Sequence, residues 1–255
     1  MMGILVNTSS PAFFLSLSQS LSRVLLSVML TGVGISGASI ALYAGPSNAA
    51  SLKSTSQRHA LADFGSISPS KEARRLANWV AHTHDNGNAD FMIVDKRHAK
   101  VYVFDASAKL RGASPVLLGA AKGDDSVPGI GSRPLSQVRP EERTTPAGRF
   151  VAERGRNLKG EDIVWVDYDA AVSMHRVRAS NPTERRLERL ATPTIADNRI
   201  SYGCINVPVS FYESHVKPTV AKQRVIVYVL PEVKSMQQVF GSLDIASGHR
   251  TSLKR

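Results

Sequence analysis

The chain has 255 residues, of which 42% are hydrophobic and 21% charged; this excludes an intrinsically disordered protein and allows one large domain or two small ones. Its single cysteine, Cys204, excludes an intramolecular disulfide and any metal or cluster site built from several cysteines. A formal net charge of +11 suits an anionic partner, whether nucleic acid, lipid headgroup or acidic polymer, without choosing among them.

Residues 1–49 carry one charge, Arg23, and no acid. An apolar run over 24–44 meets Gly45-Pro46 and then the small residues Ser47 and Ala49, the order of a secretory signal cleaved after Ala49. The alternative is an uncleaved membrane anchor, since roughly 20 apolar residues span a bilayer. Both readings export the remainder, because Arg23 stays inside. The expected localisation is therefore the periplasm or cell envelope. Residues 50–67 are polar and Ser-rich and read as a linker, so 50–88 is taken as linker plus one short helix. In that helix Ser68 is the expected N-cap and Pro69 the first helical residue. Ala73, Leu76, Ala77 and Val80 form one apolar stripe, and the turn formers Asp85-Asn86-Gly87-Asn88 end the helix.

From Phe91 the texture is β. Residues 91–94 and 101–104 are β-branched and aromatic runs separated by Lys96-Arg97-His98-Ala99, which predicts a hairpin. A third apolar run covers 115–121. Residues 122–144, rich in Gly and Pro, read as a long functional loop. Strands are expected at 148–152, 163–166 and 171–177. A helix is expected at 182–190 with Asn181 as N-cap and Glu184 at N3, another from Pro208 through Val216, and a last strand at 224–230. The mostly β core is bounded at 89–232, and 233–255 reads as a tail without a period.

The segment Ser201-Tyr202-Gly203-Cys204-Ile205-Asn206 carries the chemistry. A nucleophilic thiol needs a tight turn to expose it, which Gly203 supplies, and a lowered pKa, which a nearby helix start favours. It also needs backbone N–H groups for an oxyanion, which the Gly203-Cys204 turn can present, and a base. Of the seven histidines, His175 is the one on a predicted core strand. His59 and His249 fall near the ends, His98 in the hairpin turn, His215 in the helix after the cysteine. His82-Thr83-His84-Asp85 reads as a solvated loop rather than a metal pair. The bland reading of Cys204 is a small buried hydrophobe, and that of His175 a satisfied core histidine.

These residues resemble the L,D-transpeptidase (YkuD-like) catalytic domains, whose [Ser/Thr]-His-Gly-Cys-x-[Arg/Asn] segment carries the nucleophile. His175 matches the family's upstream histidine. Thr145-Pro146-Ala147-Gly148-Arg149-Phe150 resembles its Thr-Pro-x-Gly-x-Phe hairpin, and the strand pair around Ile93-Val94-Asp95 and residues 101–104 its opening. Two departures stand out. Tyr202 occupies the usual histidine position, and the separation of His175 from Cys204 is longer than is common, which implies an insertion around 181–190.

The resemblance implies a mainly β fold, a small sandwich or barrel-like sheet with a few helices. It implies an exported cysteine acyltransferase acting on peptidoglycan stem peptides. Cys204 is the nucleophile, His175 the base, Gly203, Ser201 and Tyr202 form the turn and oxyanion site, and Asn206 and Arg176 support it. No metal or organic cofactor is implied. An L,D-carboxypeptidase or amidase, and a non-catalytic wall-binding module, remain the alternatives. Nucleic acid is not an expected partner, because an exported chain without a concentrated basic motif gives it no support; no protein partner is inferable. The arginines of the insertion, Arg178, Arg185, Arg186, Arg189 and Arg199, are expected to form a basic lid over the cleft, or else a surface insert whose charges pair with each other.

Overall fold

A computed structural model describes residues 60–243. The expected signal or anchor at 1–49, the start of the linker and the end of the tail lie outside the described residues. Among those residues no helix is long and apolar enough to cross a membrane.

The molecule is mainly β. Ten strands run β1 (Phe91–Asp95), β2 (Lys100–Phe104), β3 (Leu110–Pro115), β4 (Leu118–Gly119), β5 (Gly148–Arg156), β6 (Asp162–Asp167), β7 (Val172–Arg176), β8 (Arg199–Ser201), β9 (Ile205–Val207) and β10 (Val225–Val229). Eight of them form one sheet in the order β3-β2-β1-β10-β5-β6-β7-β9, and β4 pairs with β8. Two neighbouring pairs in the large sheet, β1 with β10 and β7 with β9, are parallel; the others are antiparallel. Leu117, just past edge strand β3, bridges Asn206 in the opposite edge strand β9, so the sheet curls until its edges nearly meet.

All five residues of β1 are buried, because both of its faces are covered. Met92 and Val94 join Val101, Val103, Val164, Met174, Ile205 and Val227 inside the curled sheet. Phe91 and Ile93 point the other way, into a second core that they share with Tyr102 and with Leu76 and Val80 of helix α1 (Lys71–Thr83). Strand alternation thus sorts one apolar run into two cores. On β6 and β7 only one face is core. Val164 opposes Met174 inside, while Trp165 opposes Ser173 outside, leaving the outer face for the site.

The helix stripe at 73, 76, 77 and 80 is buried as expected, but the helix begins later: Ser70 is the N-cap, accepting from Ala73 N at 3.1 Å. Its hydroxyl also donates to Asp95 Oδ2 at 2.6 Å, a tertiary bond that selects it over Ser68. Strand β3 is unanticipated, since Gly112 and Pro115 break its pattern, and pairing with β2 makes it a strand. The helix expected at 182–190 is divided: a 3-10 turn, Pro182–Glu184, ends at Arg185 in the left-handed region, φ 49°, and α2 (Arg186–Ala191) follows. After Pro208 the helix forms as α3 (Val209–Phe211), a π turn over Tyr212–Val216, and α4 (Lys217–Lys222).

Described parts of the flanking segments pack on the sheet. Ala62 and Phe64 join the α1 core, as do Phe240 and Leu243 from α5 (Met236–Phe240) and just beyond it. α5 is capped by a Ser235–Gln238 capping box, a local signal the tail reading passes over. The 122–144 loop holds three 3-10 turns rather than strands. Glu142, buried within it, accepts from Arg133, Arg139 and the Arg139 N–H, which fastens the loop to itself.

Candidate active site

Strands β7 and β9 lie parallel with Met174 opposite Ile205 and His175 opposite Asn206. Met174 and Ile205 face the core, so alternation turns Ser173 and His175 to the other face, where Cys204 precedes β9. Cys204 is half-buried. Its Sγ lies 3.6 Å from Ser173 Oγ and 3.7 Å from the Ala171 carbonyl. Burial pushes the thiol pKa up, but hydrogen bonding to His175 and the charge of that ring, with smaller help from Ser173, bring it below its ordinary value. That direction favours the thiolate.

His175 Nδ1 donates to the Arg176 carbonyl at 2.7 Å. A carbonyl only accepts, so Nδ1 carries the proton and Nε2 keeps the lone pair that a base needs. This backbone oxygen is the group that orients the ring. His215 is elsewhere: its ring stacks on Phe211, and its nitrogens meet Ser214 and the Arg111 carbonyl.

The turn before the cysteine is built by its own side chains. Ser201 Oγ accepts from Gly203 N at 3.1 Å and donates to the Cys204 carbonyl at 2.6 Å. Asn206 Nδ2 donates to the same carbonyl at 3.2 Å. The Gly203 N–H, expected as an oxyanion donor, is therefore engaged within the turn. Of the two expected donors this leaves the Cys204 N–H. Gly203 itself has φ +129°, and a Cβ there would lie 2.7 Å from the Thr144 carbonyl. Tyr202 is 39% exposed and its ring is covered by the Arg143 guanidinium at 4.1 Å, so it lines the rim of the turn rather than filling it.

Arg176 lends the site its carbonyl only. Its guanidinium stacks over Tyr212 at 4.2 Å and pairs with Glu213 and Asp162, away from the thiol. Asn206 is supported from the insertion, where Arg186 donates to its Oδ1 at 2.8 Å. The other arginines of that segment are engaged too. Arg178 pairs with Glu161, Arg185 with Glu188 and Arg199 with Glu232, while Arg189 donates to the carbonyls of Glu184 and Asp197. Leu190 packs on Leu117 and Val177. The segment is thus a packed insert whose arginines are engaged partly within it and partly with Glu161 and Glu232 outside it, which favours the surface-insert alternative over the basic lid.

A cleft of about 560 Å³ opens beside Ala171, whose carbonyl touches the thiol. Its walls are Trp165 and Tyr168, in edge-to-face contact at 5.2 Å, the exposed Leu158, and Gly131 and Ser132 of the long loop. Gly131 lies against the backbone of Asp169 and Ala171, which places that loop as one wall of the cleft. Sequence reasoning missed two contributors. Ser173 is two residues before His175 on one strand, hence on the same face, a signal available from alternation. Thr145, inside the quoted hairpin motif, donates from Oγ1 to the Gly203 carbonyl at 2.8 Å.

The sequence matches no family model and no curated protein. Among solved structures, it is similar to the helical cell shape determining protein Pgp2 from Campylobacter jejuni at 17% identity and TM-score 0.38, over 57% of this chain and 49% of that one. It is also similar to an Enterococcus faecium L,D-transpeptidase at 16% identity and TM-score 0.32, over 56% and 50%. An L,D-transpeptidase from Mycobacterium tuberculosis matches at 15% identity and TM-score 0.33, over 56% and 57%. The chain spans about half the length of these structures. Matches this partial leave the chemistry to the residues themselves.

Proposed function

We propose that this protein is an exported cysteine acyltransferase acting on peptidoglycan stem peptides. The observation that carries the reading is the half-buried Cys204 thiol beside Ser173, on the face of β7 that also carries His175, whose own Nδ1 is fixed on a backbone carbonyl. The substrate class rests on the sequence resemblance to L,D-transpeptidases. His175 Nε2 takes the Cys204 proton, and the thiolate attacks the carbonyl carbon of the third, diamino-acid residue of a stem. The Cys204 N–H faces the oxyanion that develops. Collapse of the tetrahedral intermediate breaks the peptide bond; D-alanine leaves as the amine, taking its proton from His175, and a thioester remains on Cys204. An acceptor amine on a neighbouring stem then gives its proton to His175, forms the new amide and releases the thiol.

Incubation of the full chain with tetrapeptide muropeptides, read by mass spectrometry, tests this. Cross-linked product joined between third residues is expected, with none from Cys204→Ala. Tripeptide alone would assign the thioester to water and make the enzyme a hydrolase. Undiminished product from Cys204→Ala would overturn the cysteine mechanism.

A further inference from the structure

Lys96 sits in the β1–β2 turn, a place where a lysine ordinarily meets solvent, yet it is fully buried. Its ammonium uses all three protons: on the Gly123 carbonyl at 2.5 Å, Asp124 Oδ1 at 2.7 Å and the Thr145 carbonyl at 2.7 Å. Glu232 lies 3.6 Å away and is itself paired with Arg199. Asp124 in turn accepts from the backbone N–H groups of Glu232, Val233 and Lys234. One cation thus joins the start of the long loop, the residue opening the β5 hairpin and the segment after β10. A buried ion pair is seldom a better stabiliser than apolar residues of equal volume, so this cluster points to a task beyond holding the fold.

The task is visible at Thr145, which is fully buried. Its carbonyl accepts from Lys96, while its hydroxyl accepts from Gly119 N at 2.9 Å and donates to the Gly203 carbonyl. The preceding carbonyl, that of Thr144, packs beneath Gly203. We infer that Lys96 is a positioning residue for Cys204: acting through Thr145, it holds the Gly203 peptide and so keeps the thiol beside Ser173, on the face of β7 that carries His175. This rests on the reading of Cys204 as a nucleophile but not on the identity of its substrate. The relay runs over two hydrogen bonds, Lys96 Nζ to the Thr145 carbonyl and Thr145 Oγ1 to the Gly203 carbonyl, and loss of either frees the turn to shift. Misplacement of a reacting atom costs up to about 100-fold in rate.

The experiment compares Lys96→Met, Thr145→Val and Thr145→Ser in the full chain. Three quantities are read: the rate of Cys204 alkylation by iodoacetamide across the thiol's titration range, kcat and KM on tetrapeptide muropeptides, and thermal melting. Lys96→Met and Thr145→Val are expected to slow alkylation at neutral pH and to lower kcat by about 10–100-fold. KM should change by less than about 2-fold, because no substrate contact is removed. Thr145→Ser, which keeps the hydroxyl, should return both rates to within about 3-fold of wild type. A folded Thr145→Val with wild-type alkylation and kcat would overturn the positioning role and leave the acyltransferase reading standing. Failure of both Lys96→Met and Thr145→Val to fold would assign the network to the fold alone and equally overturn it. If the wild type turns over no muropeptide while alkylation still depends on Thr145, the substrate is wrong and the positioning role stands.

Discussion

Replacement of Gly203 by alanine puts the close packing of the cysteine turn to a quantitative test. The backbone there has φ +129°, a conformation in which a side chain is strained, at a cost of about 1–3 kcal/mol. The new Cβ would also lie 2.7 Å from the Thr144 carbonyl oxygen, closer than the 3.0 Å that Cβ atoms essentially respect. Neither side yields easily: Thr144 precedes buried Thr145, whose hydroxyl holds the Gly203 carbonyl. Forced overpacking of this kind adds about 1–3 kcal/mol. The sum, about 2–6 kcal/mol, corresponds to a melting temperature lower by about 4–24 °C at about 2–4 °C per kcal/mol for a domain of this size. Gly160→Ala is the matched control. It too has positive φ, +79°, but nothing lies within 4 Å of its Cβ, so it carries only the backbone cost of about 1–2 kcal/mol. Thermal melting of both variants, with iodoacetamide alkylation of Cys204 in each, separates the two contributions. Gly203→Ala should melt well below Gly160→Ala and alkylate more slowly, because the turn must move to relieve the contact. Equal melting of the two variants, with wild-type alkylation in Gly203→Ala, would refute the claim that the Thr144 carbonyl closes the space behind the nucleophile.

Two further outcomes concern protonation. His175 is the leading influence that lowers the Cys204 pKa against burial, so His175→Ala should move the inflection of the alkylation profile to higher pH and leave neutral-pH reactivity reduced; an unmoved inflection would remove His175 from the site. Asp124 is raised by burial but held down to about 2 by Lys96 and three backbone N–H groups. A carboxyl depressed below its unfolded value of about 3.9 stabilises the fold above that pH, and the contribution is lost as pH falls through about 2. Asp124→Asn should therefore cost about 3–5 kcal/mol in urea unfolding at neutral pH, as removal of one member of a buried pair does, and the gap to wild type should shrink in acid. Parallel stability curves from neutral pH to acid would contradict this account.

Much of the framework follows from local patterns in the chain. The stripe of Ala73, Leu76, Ala77 and Val80 becomes the buried face of α1, and the apolar runs at 91–94 and 101–104 become β1 and β2, because a 3.6- or 2-residue period is a property of neighbours in sequence. The segment from Ser201 to Asn206 is legible for the same reason: the serine that braces the turn, the glycine that permits it and the asparagine that steadies the Cys204 carbonyl all lie within a few residues of the thiol. Contacts between distant segments decided the rest. Ser70 rather than Ser68 caps α1 because Asp95 comes within reach, and β3 is a strand because β2 pairs with it despite Gly112 and Pro115. Arg176, Arg178 and Arg199 found carboxylates from far along the chain, which no count of charges foretells. Lys96 reads as a surface lysine of a hairpin turn until the fold brings Gly123, Asp124 and Thr145 around it. Burial and partnership of a polar group depend on which backbone oxygens arrive from far along the chain, and only the closed sheet determines that.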